Sequence, residues 1–506
     1  MSSKQWAALA ATVEADLMAR IPENKLRPRL EPTRRAVELL GDPQASYRVI
    51  HVTGTNGKTS TTRYIERILR EHGLRTGRFT SPHLIRLNER IAIDGEPVSN
   101  EQLYLVWQDI KPILEIVDAE LEAAGDTKLT FFEALAVLAF AVFADAPVDV
   151  LVLEVGMGGT WDSTNVANGD VAVFTPIGLD HMERLGNTVA EIAETKSGII
   201  KAGAMVVSSE QVPAASEVIA EVSGRVADSF KQAGTDFGVI KTEVEGFGQR
   251  MSVRGLAGEY QNLFLPVLGE YQAHNVAVAI AAVESFLGGG QQRIMDDVLR
   301  VALADSSSPG RLQIIGRDPL LVIDAAHNPH GAQTLAANLQ SAFAINDWVG
   351  VVGVLDDKDA PGLLRALEPV LQEVVVTKSA SPRATSADDL ADLAIEIFGE
   401  HRVRTTYNVD QALELASEMV GDGVGNAILV TGSITVIGEA LALQQAEDLD
   451  ADYDEADDER EDDDREDDES EVDEFDADGD YASFEPGLDG GNGYEDDYEE
   501  DAESDN

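Results

Sequence analysis

The stretch VTGTNGKTS, residues 52–60, joins an apolar β-branched run to a helical pattern that continues to about residue 72. Its residue types suit one chemistry. Glycines at 54 and 57 let the backbone turn so that successive N–H groups converge, and the next helix adds the partial positive charge of its N-terminus. Lys58 can then reach the β/γ-phosphates of a nucleotide, and Thr59 or Ser60 can offer a hydroxyl to Mg²⁺. The usual phosphate loop has a glycine where this chain has Val52, so the loop is a shortened variant. The plain alternative is an ordinary strand-to-helix turn.

Three further clusters end apolar runs. In LEVGMGGTWDSTN (153–165), Glu154 closes a run that reads as a buried strand. A carboxylate there is costly unless it meets a cation or donors, and the carboxyl edge is where doubly wound sheets bind ligands. A magnesium site shared with the loop hydroxyl explains it, and a satisfied structural glutamate is the alternative. In TPIGLDHMERLG (175–186), His181 follows Asp180 and is open between metal ligand and helix cap. In VIDAAHNPHG (322–331), Asp324 and His327 crowd a strand-to-helix turn, in position to face the phosphate site. The other histidines carry less: His51 lies inside a strand and reads as packed, His72 suits a helix C-terminus, and His401 falls in a polar loop.

These residues need strands to hold them. Runs at 48–53, 148–154, 170–175 and 204–208 form one series, and 319–324, 348–353, 373–377 and 426–431 a second. Near-continuous apolar strands separated by helical patterns predict parallel sheets covered on both faces. The polar stretch ADSSSPGR, 304–311, reads as a linker between them, and 236–268 as an antiparallel excursion. The expected organisation is a P-loop-type parallel-sheet ATPase domain over 1–304, a smaller Rossmann-like α/β domain over 305–444, and a disordered acidic tail over 445–506.

Composition limits the function classes. The net charge of −54 is concentrated: residues 447–506 hold 33 acidic and two basic residues, a net of −31, which leaves −23 for the rest. The tail has too little apolar content to build a core. Such a balance argues against a nucleic-acid partner. There is no cysteine, so disulfide and thiolate chemistry are excluded. The first residues pattern as an amphipathic helix carrying Glu14 and Asp16, not as a signal peptide. The longest apolar run, 134–144, is short of the roughly 20 residues a membrane span takes. The expected setting is the cytoplasm, with no membrane partner.

At these motifs the chain resembles the Mur ligase superfamily, and within it the folylpolyglutamate synthase/dihydrofolate synthase branch. The segments that carry the resemblance are GTNGKTS (54–60), SPHLIRLNERI (81–91), LTFFEALA (129–136), EVGMGGTWDSTN (154–165), LDHMERLGNTVAEIAETKSGIIK (179–201) and DAAHNPHG (324–331), within a span of about 20–440. The resemblance implies an ATP- and Mg²⁺-dependent ligase that joins L-glutamate to dihydropteroate, to reduced folates, or to both, as a monomer. It implies that Thr55, Asn56, Gly57 and Lys58 cradle the ATP phosphates. Ser81, Glu154 and His181 match magnesium ligands, with Ser60 or Thr59 as the metal-facing hydroxyl. Lys196, by residue type alone a helix-surface lysine, matches one that is carbamylated and holds a second magnesium. Asn275, Arg311 and Asp324 match ATP contacts, and His327 a histidine near the reacting phosphate. Thr130, Phe132, Thr160, Trp161 and Asp162 match the pteroate pocket, and Arg29–Glu31 align with it as well. Many relatives have arginine where this chain has Thr160, and the acidic tail has no counterpart. Two other readings are a cell-wall Mur ligase and an ATP-driven binding protein that uses the tail. Only about 48 residues precede the first strand, few for the UDP-binding domain that the former needs.

Overall fold

The computed structural model describes residues 1–22, 28–343, 345, 347–421 and 426–446. The expected disordered tail lies outside the described residues from 447 onward.

The strands of the first half are β1 (Arg48–Thr53), β2 (Thr76–Phe79), β3 (Ile91–Ile93), β4 (Glu96–Pro97), β5 (Val150–Glu154), β6 (Val171–Phe174), β7 (Met205–Ser208) and β8 (Ser229–Gln232). They form one sheet in the order β4-β3-β2-β5-β1-β6-β7-β8. From β2 to β8 all neighbours are parallel, and β3 and β4 add an antiparallel edge. β1 is central because both faces of its run are apolar. Val49, Leu151 and Leu153 pack under the helix Phe131–Asp145 on one side. Ile50, Val52, Val150 and Val152 pack under the helices Lys58–Glu71 and Glu270–Gly288 on the other. Each such side chain contributes roughly 1.5–3 kcal/mol on burial, so the pattern leaves little choice of strand order at the centre. The register pairs Val52 with Glu154 and Thr53 with Phe174. The carboxyl ends of β5, β1 and β6 therefore finish side by side.

The excursion is a three-stranded antiparallel sheet of β9 (Gly238–Glu245), β10 (Gly248–Arg254) and β11 (Glu259–Leu265). The second half holds β12 (Gln313–Arg317), β13 (Leu320–Ile323), β14 (Asp347–Val352), β15 (Leu371–Val376), β16 (Val403–Thr405) and β17 (Asn426–Thr431). Their order is β12-β13-β17-β14-β15-β16, parallel except where β12 meets β13. The chain thus carries two mostly parallel sheets, each with an antiparallel strand at one edge. The segment 304–311 joins them. Among the described residues no helix is long and apolar enough to cross a membrane.

Candidate active site

The turn after β1 is shaped by two glycines. A Cβ on Gly54 would lie 1.9 Å from Thr175 Oγ1, and one on Gly57 would lie 2.7 Å from Asn275 Oδ1. Gly57 also has φ of +86° as it caps the helix Lys58–Glu71, a conformation that favours glycine. The Thr55 amide donates to Pro176 O at 2.9 Å, and its hydroxyl exchanges hydrogen bonds with Gly178 at 3.0 and 3.1 Å. The loop is thereby moulded onto the end of β6 and against Asn275.

Two lysines converge on this turn. Lys58 Nζ donates to Gly54 O and Thr55 O, each at 3.2 Å, and Lys196 Nζ donates to Gly54 O at 2.7 Å. Lys196 is therefore buried under the loop, 4 % exposed, and not on a helix surface as its type alone suggested. Its helix, Val189–Ser197, starts with the Thr188/Glu191 capping box, which fixes where the helix begins and so aims residue 196 inward. Burial, with Lys58 nearby, lowers its pKa to about 7. Burial also lowers the Lys58 pKa, against the pull of Glu154 and Asp180.

Glu154 ends β5 beside them. Its Oε1 accepts from Thr59 Oγ1 at 2.9 Å, and the Ser81 backbone amide also donates to it. Its Oε2 is buried with no partner. Burial raises this carboxyl to about 7 in spite of Lys58 and these donors. The two hydroxyls expected to face magnesium, Ser60 and Thr59, differ in what they reach. Ser60 Oγ meets Ser308 Oγ of the linker at 2.8 Å, and Thr59, about 100° around the helix, is the hydroxyl that reaches Glu154.

His181 sits in the left-handed region at φ +49° as the cap of the short helix Met182–Leu185. Burial lowers its pKa to about 4, so its ring is neutral, the form that binds metals. Asp180 beside it faces the second half of the chain. Its Oδ1 accepts from the His181 amide at 2.9 Å and from Lys358 Nζ at 3.3 Å, and its Oδ2 from Asn328 Nδ2 at 3.2 Å. His327 Nε2 lies 3.8 Å from Oδ2. Burial pushes the Asp180 carboxyl up, but the nearby His327 ring and the Lys358 ammonium hold it well below the usual carboxylate range.

The turn after β13 completes the cleft. Asp324 accepts from the Leu312 and Ala326 amides, both at 2.9 Å, and burial raises its pKa. In this arrangement it ties the linker to the second sheet. His327 Nδ1 meets Ala325 O at 2.9 Å, which turns Nε2 toward Asp180. Asn56 Nδ2 and His330 Nδ1 meet at 2.7 Å across the cleft. Arg311 lines a cavity of about 350 Å³ between the segment that follows β11 and β12, with Leu268, Phe247 and Arg317. Sequence reasoning missed Lys358, while Asn328 belongs to the turn of residues 322–331 that it singled out. The turn after β14 is also a carboxyl edge, and the edge rule applied there would have flagged the lysine.

The residues matched to a pteroate pocket are engaged internally. Thr130 caps the helix Phe131–Asp145 in a box with Glu133, and Glu133 holds Arg29 at 2.8 and 2.9 Å. Phe132 is 3 % exposed, and a Cβ on Gly156 would lie 2.4 Å from its ring. Asp162 accepts from the Met157 amide at 2.8 Å and from the Thr164 amide and hydroxyl at 3.0 and 2.5 Å. His51, buried in β1, reaches the same Thr164 hydroxyl at 2.9 Å. Thr160 bonds to Thr195 O at 3.0 Å and is exposed, while Trp161 is half-buried.

Two parallel sheets meeting edge to edge around a glycine phosphate loop define an α/β nucleotide-binding enzyme of two lobes. The Mur ligase middle domain matches residues 52–283, and the Mur ligase glutamate ligase domain matches 310–434. The dihydrofolate synthase/folylpolyglutamate synthase of Mycobacterium tuberculosis is 43 % identical over 452 residues, covering 85 % of this chain and 93 % of that protein. The structure of the Mycobacterium tuberculosis folylpolyglutamate synthase complexed with ADP superposes with a TM-score of 0.83 at 42 % identity, covering 87 % of this chain and 99 % of that one. The Escherichia coli enzyme in complex with DHPP and ADP gives 0.75 at 27 % identity, over 87 % and 98 %. The chain belongs to the Mur ligase family, in its dihydrofolate synthase/folylpolyglutamate synthase branch, and is an ATP-dependent acid–amino-acid ligase.

Proposed function

We propose that this ligase joins the α-amine of L-glutamate both to dihydropteroate and to reduced folate (poly)glutamates. A carboxylate resists amine attack because it is anionic and delocalised. Transfer of the ATP γ-phosphoryl group to it makes an acyl phosphate, and ADP leaves. The glutamate amine then attacks the acyl carbon, the tetrahedral intermediate collapses, and phosphate leaves as the amide forms. Lys58 offsets charge on the transferring group, which is chiefly positioning and electrostatics. Thr55, Asn56 and Gly57 shape the phosphate cradle, while Asn275, Arg311 and Asp324 frame the nucleotide from the linker side. His327 and Asp180 face the reacting groups from either side of the cleft.

The observation that carries this reading is the Glu154 oxygen left buried without a partner at this edge. Such an atom is costly unless a cation meets it, so the residues fit magnesium. Glu154, Ser81, His181 and the Thr59 hydroxyl would hold one ion, and a carbamate on Lys196 a second. Magnesium supplies charge neutralisation of the phosphates. Among the described residues no group of three or more His, Cys, Asp or Glu could hold a metal, which suits an ion that keeps waters and substrate oxygens in its shell. The Lys196 pKa near 7 supports the carbamate, because only a neutral amine adds to carbon dioxide. Thr130, Phe132 and Thr160–Asp162 would form the wall of the pteroate pocket. Motion about 304–311 would open and close the cleft. The soluble-type patterning supports a cytoplasmic setting, and the family resemblance a monomer acting on small molecules.

The test is glutamate-dependent phosphate release, measured separately with dihydropteroate and with a reduced folate monoglutamate. Release with both is expected. Release with one alone would remove the other from the function.

A further inference from the structure

Helix Lys58–Glu71 presents a second group one turn beyond Thr59. Residues 59 and 63 are four apart and share a face, and Arg63 lines a small cavity with Thr59, Thr80, Glu89, Ser308 and Arg311. Among the described residues Arg63 makes no hydrogen bond and no ion pair. Of the acids around it, Glu89 and Glu66 are already engaged, and Glu154 keeps one oxygen without a partner. Glu89 holds the Leu84, Ile85 and Arg86 amides at 2.8, 2.9 and 2.7 Å. Glu66 accepts from Thr76 Oγ1 at 2.7 Å and pairs with Arg78 and Arg70 at 3.3 Å each. Burial, with Arg78 nearby, pushes the Arg63 guanidinium down to about 9, so it stays charged at neutral pH. A desolvated cation without a partner is destabilising, and nothing in the packing of this helix requires one here. The cavity is about 30 Å³, room for about two oxygen-sized positions and not for a whole substrate.

We propose that Arg63 is a further oxyanion-binding residue of this ligase: beside Arg311 and one helical turn from Thr59, its guanidinium takes two oxygens of an anion seated next to Glu154. A bidentate fit of this kind is the geometry for which a guanidinium is suited. The anion is a phosphoryl group or the carboxylate that is to be activated. The inference rests on the reading that phosphates occupy the loop at Lys58.

The experiment compares Arg63→Met and Arg63→Lys with the unaltered full chain, reading thermal stability, kcat, and KM for ATP and for the folate substrate. With Arg63→Met, kcat is expected to fall about 10²-fold, while the ligand-free Tm stays equal or rises because an unpartnered, half-buried charge is gone. Arg63→Lys should restore part of kcat, since it returns charge without the fork. If the anion is phosphoryl, the Tm gain on adding MgADP and inorganic phosphate shrinks in Arg63→Met. If it is the substrate carboxylate, KM for the folate rises and that gain is unchanged. Kinetic constants within twofold of the unaltered chain would overturn the proposal. So would a lowered ligand-free Tm with unchanged kcat, which would mark a structural arginine. Lys58→Ala in parallel separates the two claims, because retained activity there would remove the loop reading and leave the Arg63 measurement standing alone.

Discussion

The edge at Glu154 and the wall around Thr130 and Asp162 are both buried and polar, yet they treat polar atoms in opposite ways. Around Thr130, each acid has donors in place: Glu133 holds Arg29 and the Thr130 amide, and Asp162 takes three donors from Met157 and Thr164. At the Glu154 edge one carboxylate oxygen has no partner, and Lys58 and Lys196 crowd the same carbonyl. Satisfied groups hold a scaffold together, whereas unsatisfied ones are retained against their own stability and point to a ligand. The contrast separates residues that position the site from those that touch what binds there.

The largest expected effect comes from Lys58→Ala. Turnover should fall at least about 10³-fold with the fold intact by circular dichroism, because this lysine bonds only to its own loop carbonyls. Next, Glu154→Gln should lower kcat by about 10²-fold or more and at the same time stabilise the ligand-free chain at pH 8. The folded-state pKa is raised to about 7 from an ordinary 4.5. Between those values the folded chain holds a proton that the unfolded chain has released, so the group's contribution to stability falls as pH rises through that window. The gain in the variant at pH 8 should be on the order of 1–3 kcal/mol, read by denaturant unfolding, and the loss of stability between pH 4.5 and 7 should flatten. A variant less stable than the unaltered chain at pH 8 would break the contrast.

Lys196→Ala should lose most activity and regain some with added short carboxylic acids that replace the carbamate. In the unaltered chain activity should decline as pH drops below about 7, where Lys196 takes up its proton. Full activity of Lys196→Ala would remove the carbamate role. The smallest effect on turnover is expected from Glu133→Ala. Loss of this partner removes the two-pronged pairing with Arg29, which keeps Asp126 at 3.1 Å and the Thr127 and Lys128 carbonyls, and should cost about 1–3 kcal/mol of stability, with kcat at saturating substrate within about threefold.

Much of this was legible in the residues because the apolar strands β1, β5 and β13 run straight into a glycine or a carboxylate. Loop, Glu154 and the Asp324–His327 turn all follow from that punctuation. The short strands were not legible. β3 and β4 span three and two residues, too few for a period to show, and TGRF in β2 has no alternating apolar pattern. The choice between Thr59 and Ser60 turned on one residue's rotation about the helix axis, which a motif does not encode. Lys196 looked exposed because a helical pattern does not say what lies above it. Asp180 with Lys358 and Asn328 required the relative placement of two sheets, and that is set by packing over distances of more than a hundred residues along the chain.

The most direct measurement is phosphate release from ATP with and without L-glutamate, in the presence of dihydropteroate and then of a reduced folate monoglutamate. The account predicts release only when acid and amine substrates are both present, abolished by Lys58→Ala. Steady ATP hydrolysis that ignores glutamate, or survives Lys58→Ala, would contradict it.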